Sequence, residues 1–170
     1  MLPIVLDPKA IRIGVAGAGE GLQRRLELLS SAGIQNLAAF DDRGPSPEAL
    51  AGLSVLFVAG LGAEQSQRLA AAARAKGVLV NVEDQKDLCD FHVPATVRRG
   101  DLLFTVSTGG NSPGLSRLLR EELERHFGPE WTERMDEIAR SRATWRSAGA
   151  DPGIVSERTR ALVKVKGWLR

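Results

Sequence analysis

Ile11-Arg12-Ile13-Gly14-Val15-Ala16-Gly17-Ala18-Gly19-Glu20-Gly21 is the stretch that decides the fold. Its apolar start and abrupt end in glycine read as a buried strand. The glycines of 17–21 then turn the chain. Leucines 22, 26 and 29 follow at helical spacing, which predicts a helix over 22–32, with Gly33 as its stop. Glycines between a strand and a helix let a pyrophosphate approach the backbone, and the helix start supplies free N–H groups and a partial positive charge. The third glycine comes one position earlier than in G-x-G-x-x-G, so the strand–turn–helix context carries the dinucleotide reading. A glycine-rich structural turn is the other reading of the same residues.

Outward from this unit the pattern repeats. Strands are expected over 36–40, 54–59 and 78–82, with a short helical piece over 47–51 and an alanine-rich helix over 63–76. Strands alternating with helices predict an α/β fold with a doubly wound parallel sheet. Further on, 91–94 reads as short and extended, and Asp101–Ser107 as a strong strand after an Arg99-Gly100 turn. Ser112 and Pro113 form a helix start. Leucines 115, 118, 119 and 123 give the helix over 113–126 an apolar stripe. A second helix is expected from Pro129 to about Ser147, and a helical start to the tail after Asp151. The expected division is a nucleotide-binding domain at 1–112 and a helical dimerisation and substrate-pocket region at 113–170.

The chain has 170 residues, 43% hydrophobic and 26% charged, as a globular domain with a small appendage would have. A net charge of +2 and 5% aromatics without tyrosine argue against nucleic acid as the partner. No apolar run reaches the length of a membrane span. The opening Met1–Asp7 is apolar but short and lacks a basic leader, and the single Cys89 has no disulfide partner. Both features predict a cytoplasmic setting.

Several residues could carry chemistry. Asp41 and Asp42 lie about 20 residues beyond the glycines, where a ribose-binding acid belongs. A carboxylate there favours NAD over NADP, Arg43 weakens that preference, and a solvated turn is the alternative. Asp84, in Asn81-Val82-Glu83-Asp84, falls at the C-terminal end of a strand, where ligands of open α/β sheets bind, so it is a candidate general base or metal ligand, or simply a surface acid. Ser107-Thr108-Gly109-Gly110-Asn111-Ser112-Pro113 offers hydroxyls and N–H groups to an anion, or caps a turn. Arg98, Arg99, Arg117 and Arg120 suit a polyanionic organic substrate, or form a solvated basic face. Cys89 and His92 have C-x-x-H spacing without a second pair, so no resident metal is expected. His126, in the last turn of a helix, reads as structural.

Taken in order, Asn81–Asp84, Leu88–Ala95, Arg98–Leu102, Ser107–Pro113 and Leu118–Glu124 resemble the precorrin-2 dehydrogenase family, some of whose members are also sirohydrochlorin ferrochelatases or parts of siroheme synthases. The resemblance is dense from Gly77 to Glu124. It implies a Rossmann-like domain with a helical dimerisation extension, NAD as oxidant, and precorrin-2, with its eight carboxylates, as substrate. It also implies Fe2+ as a substrate if chelation occurs, and a homodimer. By position, Asp84 inherits the family's catalytic aspartate, seven residues before Phe91. Thr108, with Gly109, Asn111 and Ser112, inherits the tetrapyrrole pocket, and the four arginines receive the carboxylates. The cofactor would contact Gly17, Ala18, Gly19, Glu20, Gly21, Asp41, Asp42, Ala59 and Gly60.

Overall fold

The computed structural model describes residues 2–169. Four parallel strands, β1 (Ile13–Gly17), β2 (Leu37–Phe40), β3 (Val55–Ala59) and β4 (Leu79–Val82), form one sheet in the order β2-β1-β3-β4. Helices α1 (Gly19–Ser31), α2 (Pro47–Ala51) and α3 (Ala63–Arg74) connect them.

Alternation along the strands explains why both faces are covered. Ile13, Val15, Val55 and Phe57 point to one face and pack with Leu22, Leu26 and Leu29 of α1. Ala16, Leu56, Val58, Val80 and Val82 point to the other, against Leu50 of α2 and Ala70 and Ala73 of α3. The small residues of α3 let that helix approach the sheet closely. This is the expected doubly wound arrangement. Its strand order reverses between β1 and β3, and the crevice at such a switch point is where these sheets take ligands.

The free edge of β4 is covered by its own downstream chain, which includes a 3-10 turn at Lys86–Leu88. Asp90 accepts from the Val80 N–H at 2.9 Å and pairs with Arg74 at 2.9 Å. Its own N–H donates to Val80 O, so side chain and backbone together satisfy the edge. Phe91 then packs edge-on against Phe57, centroids 5.4 Å apart. The Cys89 thiol lies among Val82 N (3.3 Å), Val82 O (3.2 Å) and Gln85 O (3.4 Å), and so belongs to this same edge cover.

The chain divides into two compact units, Met1–Val93 and Pro94–Arg170. The second opens with an antiparallel hairpin of β5 (Ala95–Arg99) and β6 (Leu102–Val106). Helices α4 (Pro113–His126), α5 (Trp131–Ser147) and α6 (Pro152–Val165) follow. The hairpin thus packs with the helices, whereas the sequence places 94–112 with the nucleotide-binding domain. The physical reason is that β5 and β6 pair only with each other and lie under α4. Phe104, Phe127 and Trp131 stack in succession with centroids 4.3 and 5.3 Å apart, joining β6 to the α4–α5 corner. Among the described residues no helix is long and apolar enough to cross a membrane.

Candidate functional site

In the first unit the glycine turn and the start of α1 form a cradle. The helix begins at Gly19, three residues earlier than its leucine spacing predicts. Gly17 and Gly60 are forced by close approach. A Cβ at Gly17 would stand 2.0 Å from the Ala59 carbonyl oxygen, and one at Gly60 would stand 2.1 Å from that of Ala18. Ala18 N donates to Ala59 O at 3.2 Å, locking the turn onto the end of β3. Gly19 is different: its φ is +58° and nothing lies within 4 Å of a built Cβ. The open space therefore begins at Gly19.

Side chains cap α2, α4 and α6, through Ser46, Ser112 and Asp151, whereas α1, α3 and α5 start without a side-chain cap. At α1 the cap position is Ala18, which has no side-chain acceptor. Its first N–H groups are left for an anion from outside, as a dinucleotide pyrophosphate requires. Glu20 does not obstruct them, because its side chain is almost wholly exposed and turns along the helix to Arg24 at 3.5 Å. The cradle, the uncapped helix start and the small residues 17–19 and 59–60 all fit a dinucleotide.

Asp41 follows β2 directly, beside the cradle strand, as a ribose acid should. It is already engaged. Arg43 donates to Asp41 Oδ2 from Nε (3.0 Å) and Nη2 (2.7 Å), and its backbone N–H donates to Oδ1 at 3.0 Å. The Arg43 hydrogen bond is the main cause that holds the Asp41 carboxyl below its usual range. Asp42 contributes its carbonyl oxygen to Gln65.

Asp84 lies at the same C-terminal edge, just after β4. It is exposed, and at φ +59° it is the one non-glycine residue with positive φ among the described residues. Asp is one of the few non-glycine residues that adopt this region readily, in turns as well as at functional positions. Beside it is a group that sequence reasoning missed. Glu83 is 22% exposed and pairs with Arg24 at 3.5 Å. Its Oε2 lies 2.5 Å from where a Cβ of Gly21 would be, so Gly21 is small to admit this carboxylate. Half-buried Arg25 stacks over Phe57, 5.0 Å from the ring centroid. Burial lowers its pKa, while Glu83, Cys89 and Asp84 pull in the opposite direction. Glu83 lies within the Asn81–Asp84 stretch that carries the resemblance, but its relation to Arg25 is visible only once α1 lies over the sheet.

In the second unit the candidate residues divide. Thr108 accepts from Ser112 N (3.2 Å), donates to Ser112 O (3.1 Å) and lies 3.1 Å from Ser116 Oγ, so its hydroxyl braces the turn. Ser112 caps α4 through Leu115 N–H. Gly109 and Gly110 have φ of +66° and +79°, and Asn111 is exposed beside them. Arg99 donates to Phe127 O at 2.8 Å and serves the end of α4. Arg117 pairs with Glu121 at 2.9 Å, and Arg120 with Glu124 at 2.5 Å. Arg98 alone of the four is exposed without an acid partner among the described residues. His126 lies 3.0 Å from Glu122.

A doubly wound sheet with a glycine cradle at its switch point defines a Rossmann-type dinucleotide-binding protein. The family model described as "Putative NAD(P)-binding" matches residues 4–95, and one described as "Sirohaem biosynthesis protein central" matches 99–126. The first covers more than half of the chain, which belongs to this NAD(P)-binding family. Among its relatives, siroheme synthase 1 of Pectobacterium atrosepticum is 35% identical over 163 residues, covering 85% of this chain and 33% of the relative. The siroheme synthase of Thiobacillus denitrificans is 36% identical over 141 residues, covering 72% and 29%. The chain thus spans about a third of the length of these relatives. The solved structure of SirC, a precorrin-2 dehydrogenase, superposes with a TM-score of 0.72 at 19% identity, over 99% of this chain and 92% of that one, which supports the fold.

Proposed function

We propose that this chain catalyses the NAD+-dependent oxidation of precorrin-2 to sirohydrochlorin. The observation that carries the reading is the pairing, on one sheet edge, of an uncapped, open helix start at Gly19 with Asp84 in a left-handed backbone. The siroheme synthase relatives supply the substrate class.

When bound, nicotinamide supplies a hydride acceptor. The chain holds the pyrophosphate on the first N–H groups of α1 and the adenosine ribose on Asp41. Loss of two hydrogens from the substrate leaves one as a proton, which the Asp84 carboxylate takes. Arg25, held against Phe57, keeps positive charge near Asp84 and Glu83. On the second unit, Arg98 and the 107–112 turn are assigned to substrate carboxylates. If chelation occurs, ferrous iron is a second substrate that displaces two pyrrole protons, one taken by Asp84 and the other released to solvent. The direct test is anaerobic appearance of sirohydrochlorin absorbance with saturating NAD+. If wild-type protein binds both ligands but shows no turnover, the chain is instead a nucleotide- or tetrapyrrole-binding protein without catalysis.

NAD+ is expected to bind more tightly than NADP+. Freeing Asp41 with Arg43→Ala should widen the preference by about fivefold, since a charge attracting a 2′-phosphate is lost and the carboxylate is released to the ribose. Titration calorimetry with both cofactors measures this. Equal or tighter NADP+ binding by the wild type removes Asp41 from the ribose site.

The proposed setting is cytoplasmic and the proposed state a homodimer. No residue of α4 is buried, and Leu115, Leu118 and Leu119 are 47%, 64% and 43% exposed. Such an apolar stripe needs a cover. Sedimentation should give about twice 18.3 kDa, and Leu118→Glu should shift it to the monomer. A wild-type monomer at micromolar concentration removes the dimer from the reading.

A further inference from the structure

Charge is unevenly distributed along this chain. Residues 138–170 carry eight Lys and Arg against only Asp151 and Glu157, while residues 1–137 carry fifteen against nineteen acids. A net charge of +2 conceals this asymmetry.

Part of that charge surrounds a groove of about 680 Å³ between α5 and α6. Arg142 and Arg146 stand on the α5 wall, Arg160 and Lys164 on the α6 wall, with Val155 and Val163 between. Val155 is 4% exposed, so the lining combines an apolar floor with charged rims. None of the four cations has an acid partner among the described residues. The contrast with α4 is informative, since there Arg117, Arg120 and Arg125 all pair with glutamates of their own helix. Here each wall presents a like-charged i,i+4 pair, Arg142/Arg146 and Arg160/Lys164, an arrangement that repels and disfavours its helix. Two such pairs facing one apolar trough would be stabilised by an anion, and helix packing alone does not call for them.

We infer that the α5–α6 groove is a binding site for an amphipathic polycarboxylate, a ligand with an apolar body and acidic groups on two opposite edges. The apolar floor takes the body. One turn of helix separates the cations on each wall, so each wall can meet two carboxylates. The volume lies within the range of small-molecule sites. Tetrapyrrole polycarboxylates belong to this ligand class, but the site stands on its own residues, apart from Asp84 and the nucleotide cradle.

The test uses the full chain and uroporphyrin, a stable macrocyclic polycarboxylate, followed by quenching of tryptophan fluorescence. Arg146→Gln with Lys164→Gln should weaken binding about tenfold, as removal of two screened ion pairs implies, with NAD+ affinity unchanged and the melting temperature slightly raised as the like-charge repulsion is relieved. Raising salt should weaken the wild type and affect the double variant less. Arg98→Gln, which removes a cation assigned to substrate carboxylates in the proposed catalytic pocket, should bind uroporphyrin like the wild type, and this separates the two sites. Unchanged affinity in the double variant overturns the proposal. So does inorganic triphosphate binding as tightly as uroporphyrin, because the apolar floor would then contribute nothing. Tighter binding of a short single-stranded oligonucleotide than of uroporphyrin would assign the groove to nucleic acid instead.

Discussion

Asp84→Asn is expected to lower sirohydrochlorin formation by about 10²–10⁴-fold, the usual loss when a positioned general base is removed. The site makes this a clean experiment. Asp84 has φ +59°, a region that Asn tolerates at least as well as Asp, so the backbone should not move. Asp84 is exposed, so no buried partner is orphaned. The melting temperature should therefore stay close to the wild type, and affinities for NAD+ and precorrin-2 should hold. The loss should appear in kcat, while a binding role would appear as weaker affinity with the maximal rate retained. Asp84→Ala serves as a comparison: it removes the same carboxylate and also places an ordinary side chain at positive φ, adding roughly 1 kcal/mol of strain. If Asp84 merely completes the turn after β4, the Asn variant should work almost normally, and near-wild-type turnover would remove Asp84 from the mechanism.

The strands of the first unit were legible because their burial is nearly complete. Ile13–Gly17 and Val55–Ala59 are buried at every position, and a continuous apolar run ending in glycine has few other meanings. Ala95–Arg99 was not recognised as a strand, since only Val97 of its five residues is buried and two are arginines. Its partner had to be seen before its role in the second unit was visible. The start of α1 was misplaced for a related reason. Glycine is a poor helix former, so the propensity of 19–21 points to a loop, while the structure starts the helix at Gly19 and packs Gly21, in its first turn, closely against Gly60 and Glu83. The arginines carried a readable warning. Arg117 and Arg120 each precede a glutamate by four residues, the spacing of a helical ion pair, so their engagement was available from sequence. The engagement of Arg99 with Phe127, 28 residues away, was not.

The glycines of the cradle should separate into two kinds when each is given a methyl group. Gly17→Ala places a Cβ 2.0 Å from the Ala59 carbonyl oxygen, and Gly60→Ala places one 2.1 Å from that of Ala18. Both obstacles are backbone, which no rotamer change can move aside. Either β1 separates from β3 at the switch point, or the turn is rebuilt. The expected destabilisation is on the order of 3 kcal/mol or more for each, with NAD+ binding lost along with the cradle. Gly60 bears a second burden, since its φ of +67° also strains an alanine. Gly19→Ala should behave differently. Its built Cβ meets nothing within 4 Å, so the cost to folding is only the positive φ, about 1 kcal/mol. The open space is where the pyrophosphate is proposed to lie, and a methyl group there holds it away from the first N–H groups of α1. NAD+ affinity should therefore fall by at least about tenfold while the melting temperature drops only a few degrees. Paired thermal melts and NAD+ titrations on the three variants measure both quantities. If Gly19→Ala binds NAD+ like the wild type, the space above Gly19 is not the pyrophosphate site. If Gly17→Ala is as stable as the wild type, the close packing of β1 on β3 is not what the glycine at 17 is for.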